Sequence, residues 1–393
     1  MKRLTYLILT LTLIFAGCKE KSRPTANLAI FSHDRIKEIE KIEFDNKEFL
    51  DSCEFVRLET SDESLFGEIT QLETFDGKFY IYDRQTMKIK VFDSAGRFLY
   101  DIGKKGQGPG EYVYINFFFL NPKEKKIGLY DPGKGAVHEY TLDGTFLRTI
   151  NPPRDQDLSC ISKAVYIDDY IYCFARINEE NNYSYTILSS KYYSVKERFD
   201  PYPVKPQNPM YAKVMNHPYS VVDGEFHYTS LFSDTIYTFE NGKETPHLYV
   251  ETGKPNISPD YLKNRELEVV DDPVTVCVEV WRDNRYSPGF TELGETHRFI
   301  LTKFNFNSSY YLLDKKTNEG FHVENSFLPD LGTPSAMEGN KIVRIWSAWE
   351  ISSYREMITN NKKEYPVSLD SLMKAYDPDY ENPVLVVYYM KDK

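Results

Sequence analysis

The sequence predicts an all-β fold: a six-bladed β-propeller of four-stranded antiparallel blades, with short helical insertions. Three observations lead there. The 393 residues include 31 Tyr, 25 Phe and 3 Trp, side chains that favour strands over helices. From Cys53 onward, short runs of alternating apolar and polar residues are broken by Asp-Gly, Asn-Gly, Asn-Pro and Ser-Pro turns. Those runs also repeat: Tyr82 and Tyr130, Asp83 and Asp131, Gly96 and Gly144, and Phe98 and Phe146 each lie 48 residues apart. A unit of about 40–50 residues holding four short strands has the size of one propeller blade.

The chain begins Met1-Lys2-Arg3, followed by a largely apolar stretch from Leu4 to Phe15. That stretch falls short of the ~20 residues a spanning helix needs and suits the apolar region of a signal peptide. It ends Phe15-Ala16-Gly17-Cys18 and turns polar at Lys19-Glu20-Lys21. Small residues before a cysteine resemble the lipobox of bacterial lipoproteins, which implies cleavage after residue 17 and acylation of Cys18. Several acyl chains hold a protein stably at a membrane where one is marginal. Residues 1–17 are therefore expected to be a signal peptide and 18–52 a tether and lead-in. The expected location is the cell envelope, anchored in the outer membrane and facing either side of it.

Residues 53–393 are expected to form the propeller. The first blade carries Gly77–Asp83, Ile89–Phe92 and Ser94–Leu99, and the second Lys126–Asp131, His138–Tyr140 and Asp143–Leu147. Looser units follow at Ala164–Pro203, Tyr219–Val250 and His297–Leu328, and a sixth begins near Asn340. Its last strand, Pro383–Tyr389, is expected to pair with Glu54–Leu58, because sharing a blade between the termini leaves no open edge. Residues 255–296 read as an interblade insertion. A Ser258 cap before Pro259 predicts a helix over 259–269, and Ser368 one ending at Ala375. Cys53, Cys160, Cys173 and Cys277 show no CxxC spacing and read as buried thiols on strands.

The segment Val91–Leu99, then Ile102-Gly103, then Gly106-Gln107-Gly108-Pro109-Gly110-Glu111-Tyr112, resembles the NHL-type repeat. More closely, it is similar to the six-bladed propeller lipoproteins of Bacteroidetes, whose pattern includes Leu58-Glu59-Thr60 and the closing Asn382–Val387. That resemblance implies the fold and an envelope location, and no particular activity.

Net charge is −11, and Lys2 and Arg3 belong to the leader, so nucleic acid is not an expected partner. No HExxH, GxSxG or GK[ST] motif appears. The long connections (101–112, 150–163, 200–218, 251–296 and 327–340) all fall on the face that joins one blade to the next. Long loops on one rim of a rigid scaffold are where binding concentrates. The expected function is non-catalytic binding of a protein, peptide or glycan. Candidate contacts on that face are Arg84, Lys105, Gln107, Glu111, Tyr112, Tyr211, Trp281, Arg282 and Tyr286. The Gly103–Gly110 loop could cradle an anion on its backbone N–H groups, or its glycines could simply serve a tight turn; the turn is the preferred reading. No cofactor is expected. The alternative is a calcium-dependent, lactonase-like hydrolase or lyase with Glu68, Glu73 and Asn116 converging on the central channel, since hard cations take such oxygen ligands.

Overall fold

The computed structural model describes residues 29–392 apart from 40–41, 43–45, 177–180, 202–216, 241, 259–260, 262–284, 288, 304–308, 324–333 and 362–366. Six antiparallel sheets follow one another around a channel. From inner to outer strand, blade 1 is Ile69–Phe75, Lys78–Asp83, Lys88–Asp93 and Phe98–Ile102. Blade 2 is Phe117–Asn121, Lys126–Asp131, Ala136–Thr141 and Phe146–Ile150, and blade 3 is Ile161–Ile167, Tyr170–Ala175, Tyr183–Ser189 and Val195–Pro201. Blade 4 is Tyr219–Val222, Glu225–Thr229, Thr235–Glu240 and Lys243–Val250, and blade 5 is Glu292–Glu295, Phe299–Lys303, Tyr310–Asp314 and Glu319–Val323. Blade 6 is Ala336–Glu338, Lys341–Trp346 and Val384–Met390, completed by Leu50–Arg57. The ring closes as the sequence implies: Val387 pairs with Glu54 and Leu385 with Val56.

The inner strand of blade 2 is buried on both faces, which explains its run Phe117-Phe118-Phe119-Leu120. Side chains alternate across a strand, so Phe117 and Phe119 enter the seam with blade 3 while Phe118 and Leu120 enter the seam with blade 1. Six apolar clusters result, each joining two consecutive blades. The 48-residue anchors have local causes. Gly96 and Gly144 both take positive φ, 82° and 90°, where a Cβ is disfavoured. Asp83 and Asp131 turn their carboxylates onto the backbone N–H groups of the loop that enters their own blade: Gly67 and Glu68 for the first, Val113 for the second.

Three features differ from the sequence reading or extend it. The inner strand of blade 5, Glu292–Glu295, lies inside the stretch read as an insertion. The lead-in is built into the fold: Ala29–Phe31 adds parallel to Leu248–Val250, and Ile36–Ile39 parallel to Gly320–Val323, as fifth strands of blades 4 and 5. Helix α1, Ala348–Asn361, and helix α2, Val367–Ala375, lie between the second and third strands of blade 6 and pack Ile351, Tyr354, Leu369 and Leu372 into the blade 5–6 seam. Only α2 was expected. The expected helix over 259–269 falls almost wholly outside the described residues, as do Cys18 and Cys277. Cys53, Cys160 and Cys173 are free thiols.

Candidate functional site

The inner strands of blades 1, 3, 4 and 6 line a cavity of about 300 Å³ in the channel. Its polar wall is set by Gln71 and Glu73 on blade 1, Lys163 on blade 3, and His217 and Tyr219 at the start of blade 4. Gln71 and Lys163 occupy the same position of the repeat. Each follows a bulge, between Ile69 and Gln71 in blade 1 and between Ile161 and Lys163 in blade 3. A bulge bends a strand and re-aims its side chains.

The channel wall perturbs these groups strongly. Burial pushes the Glu73 carboxyl up from 4.5 to about 7, against a hydrogen bond from Gln71 Nε2 (3.0 Å) and the charge of Lys163. Burial also lowers the Lys163 ammonium, against the attraction of Glu73 and Glu292. His217 falls from 6.5 to about 3, through burial and the nearby Lys163 charge. Its Nδ1 lies 3.1 Å from the Leu293 carbonyl and donates to it, which leaves Nε2 as an acceptor. At neutral pH the wall therefore offers a carboxyl near its midpoint, the Lys163 amine with its proton held less tightly than usual, and a neutral imidazole. Among the described residues Lys163 Nζ makes no hydrogen bond and no ion pair within 4 Å.

The residues singled out from sequence are dispersed. Arg84 and Glu68 pair with each other at 3.1 Å on the surface. Lys105 and Gln107 are exposed at the tip of the glycine loop. Glu111 serves that loop internally: its carboxylate accepts from Gly108 N (2.8 Å), and a Cβ at Gly106 would collide with it. An anion on these N–H groups would have to displace Glu111, and Gly103 and Gly110 take positive φ, 67° and 70°. Tyr112 is fully buried in the seam between blades 1 and 2, its hydroxyl donating to the Met87 carbonyl. Tyr286 packs against Tyr261 (5.4 Å between ring centres), with the Arg285 guanidinium 5.8 Å from its ring centre. Tyr211, Trp281 and Arg282 lie outside the described residues. Of the three candidate calcium ligands, Glu73 lines the channel and Glu68 faces Arg84, while Asn116 donates to the Ser159 and Ile161 carbonyls to tie blade 2 to blade 3. Each has separate partners.

Sequence reading did not place Lys163, His217 or Tyr219 in the channel. The available signal was the repeat itself, which aligns Ile161–Lys163 with Ile69–Gln71.

The family profile described as a domain of unknown function (DUF4934) matches residues 33–389. The chain belongs to that family. Its fold is similar to that of a Bacteroides fragilis protein described as exported, at a TM-score of 0.69 and 17% identity over 92% of this chain and all of the other. It is also similar to a DUF4221 family member from Bacteroides vulgatus, at a TM-score of 0.50 and 10% identity over 87% of this chain and 97% of that one. No curated protein matches it in sequence. Among the described residues, no helix is long and apolar enough to cross a membrane.

Proposed function

We propose that this DUF4934 propeller is an envelope-anchored, non-catalytic binding protein that admits a carboxylate-bearing glycan or peptide end to its channel. The observation that carries this reading is Lys163, a half-buried amine in the channel wall with no hydrogen bond or ion pair among the described residues. An opposite charge nearby favours the charged form of an amine, so a ligand carboxylate supplies the partner the wall leaves open. The protonated fraction of Glu73 adds a second donor, and His217 Nε2 accepts from a ligand hydroxyl or amide. The cavity of about 300 Å³ admits a sugar unit or a terminal residue, not a folded surface. The channel-calcium alternative gains nothing from the structure, because Glu68, Glu73 and Asn116 have separate partners.

Membrane attachment follows from the lipobox-like Phe15-Ala16-Gly17-Cys18 and agrees with the export described for the B. fragilis relative. Mass spectrometry of the Cys18 peptide tests it. Calorimetric titration of the full chain with uronic acids and short peptides tests the binding. Lys163→Met should weaken the best ligand at least tenfold. Affinity unchanged by that substitution, or no binding by any carboxylate, overturns the assignment.

A further inference from the structure

Away from the channel, two imidazoles and a carboxylate converge in the seam between blades 4 and 5. His227 lies on the second strand of blade 4, His247 on its outer strand, and Glu295 ends the inner strand of blade 5. His227 Nδ1 is 2.7 Å from Glu295 Oε2, and His247 Nε2 is 3.3 Å from Glu295 Oε1. The two rings stack with centres 4.0 Å apart, and ligand atoms from all three residues lie within 4.8 Å of one another. Among the described residues no other set of His, Cys, Asp and Glu is this close.

Three details point beyond packing. The outer strand bulges at His247: Ile236 pairs with Leu248 and Tyr237 with Pro246, so His247 is the extra residue. The outer strands of blades 1 and 2 bulge nearer the preceding turn, and their extra residues, Leu99 and Leu147, face solvent, at 39% and 42% exposure. His247 instead turns onto His227. Second, His227 sits between two carboxylates, with Glu225 Oε2 3.4 Å from its Nε2. A neutral imidazole has one N–H and serves one of them. Without a metal that proton serves the closer contact, Nδ1 to Glu295 at 2.7 Å; a cation between Nδ1 and Glu295 moves it to Nε2, where Glu225 accepts it. A metal-bound histidine whose other nitrogen donates to a carboxylate is the usual outer-shell arrangement. Third, Lys315 Nζ lies 2.8 Å from Glu295 Oε1 and 2.7 Å from the Thr296 carbonyl. It holds one carboxylate oxygen while the other remains directed at His227.

We propose that His227, His247 and Glu295 form a site for a divalent transition metal of the zinc type, with Glu225 orienting His227 and Lys315 orienting Glu295. Two imidazoles and one carboxylate suit such an ion, which binds them at about 2.0–2.2 Å with a fourth position left to water. Side-chain exposure of 29% at His247 gives the ion a way in from solvent.

The test is titration of the chelator-treated full-length chain with Zn²⁺ by calorimetry and with Co²⁺ by visible absorption. One equivalent should bind, and Co²⁺ should give a ligand-field band of low coordination number. His247→Ala should weaken binding at least tenfold without lowering the metal-free melting temperature, since its ring is partly exposed. Glu225→Gln should weaken it about tenfold, as loss of an outer-shell carboxylate does. If His247→Ala does not fold, His247→Asn keeps the side chain polar and replaces it. A chain that takes up no equivalent of either ion overturns the proposal. Equal affinity in wild type and a His227→Ala/His247→Ala double variant overturns it as well.

Discussion

The side chain of Gln71 in blade 1 and the backbone of Phe118 in blade 2 exchange two hydrogen bonds: Nε2 donates to the Phe118 carbonyl at 2.7 Å, and Oε1 accepts from its N–H at 3.2 Å. Inner strands of neighbouring blades belong to separate sheets, so the Gln71 amide stands in for a strand that the ring does not provide. Gln71→Leu strands a buried N–H and a buried carbonyl, at about 1–3 kcal/mol each. The expected loss is about 2–4 kcal/mol by the same principle, read as a lower denaturant midpoint at unchanged slope. A loss within experimental error would mean that water replaces the amide.

Asp83 carries a similar burden at the loop entering blade 1. Its carboxylate accepts from the N–H groups of Gly67, Glu68 and Gln85 and from the Thr86 hydroxyl. Burial opposes ionisation, but these donors win and hold its carboxyl below the usual 3.8. A folded-state value below the unfolded one gives stability that is present above the unfolded value and lost as pH falls through the folded one. Asp83→Asn should therefore cost about 1–3 kcal/mol at pH 7. The gap between wild type and variant should shrink on acidification below pH 4. Melting curves across pH 2–7 read this directly, and a gap independent of pH would refute it.

Glu73 has the opposite sign. Its carboxyl titrates near 7 in the folded chain against 4.5 as a free group, so the native state holds its proton longer than the unfolded state does. Stability should fall as pH rises between those values and level off above them. Glu73→Gln keeps the acceptor for Gln71 and removes the titration. The variant should therefore be more stable than wild type above pH 7, by roughly 1–3 kcal/mol. In the proposed binding role, wild-type affinity for a carboxylate should also weaken as pH passes 7, while the variant's stays flat. Parallel pH profiles of the two proteins, in melting or in binding, would contradict the assignment.

What the sequence disclosed depended on whether a feature is local. Blade order, blade number and ring closure come from alternation and turn residues, which act over a few residues, and from the 48-residue spacing, which repeats them from one blade to the next. The inner strand of blade 5 was hidden because Glu292 and Glu295 look like loop residues, yet both are buried, 4% and 2% exposed. Lys303 and Lys315, from the second strand and third turn of the same blade, supply their counter-charges. Helix α1 did carry a readable signal. Ser347-Ala348-Trp349-Glu350 is a capping box, with Ser347 N donating to Glu350 Oε2 at 2.8 Å and Glu350 N to Ser347 Oγ at 3.3 Å. Beyond the repeat position of Lys163, the channel and seam sites were not readable, because Lys163 and Glu73, or His247 and Glu295, lie on different blades and no sequence spacing links them.

The two added strands give the last prediction. A four-stranded blade ends in an outer strand with a free row of N–H and carbonyl groups, a template for pairing with another chain. Blades 4 and 5 cover theirs with Ala29–Phe31 and Ile36–Ile39, where Phe31 fills the seam between them, 2% exposed. Lys37 pairs with Glu319 at 2.9 Å and Glu38 with His322 at 2.6 Å, which sets the register of the second strand. Burying a Phe side chain is worth about 1.5–3 kcal/mol, so deleting residues 29–39 should lower stability by at least that amount. It should also uncover both edges, so light scattering on heating should show concentration-dependent association that the full chain lacks. Phe31→Ser with the strands intact separates the two effects: it should lower the melting temperature without promoting association. If the deletion stayed monomeric and melted with the full chain, the added strands would be ornament and not edge protection.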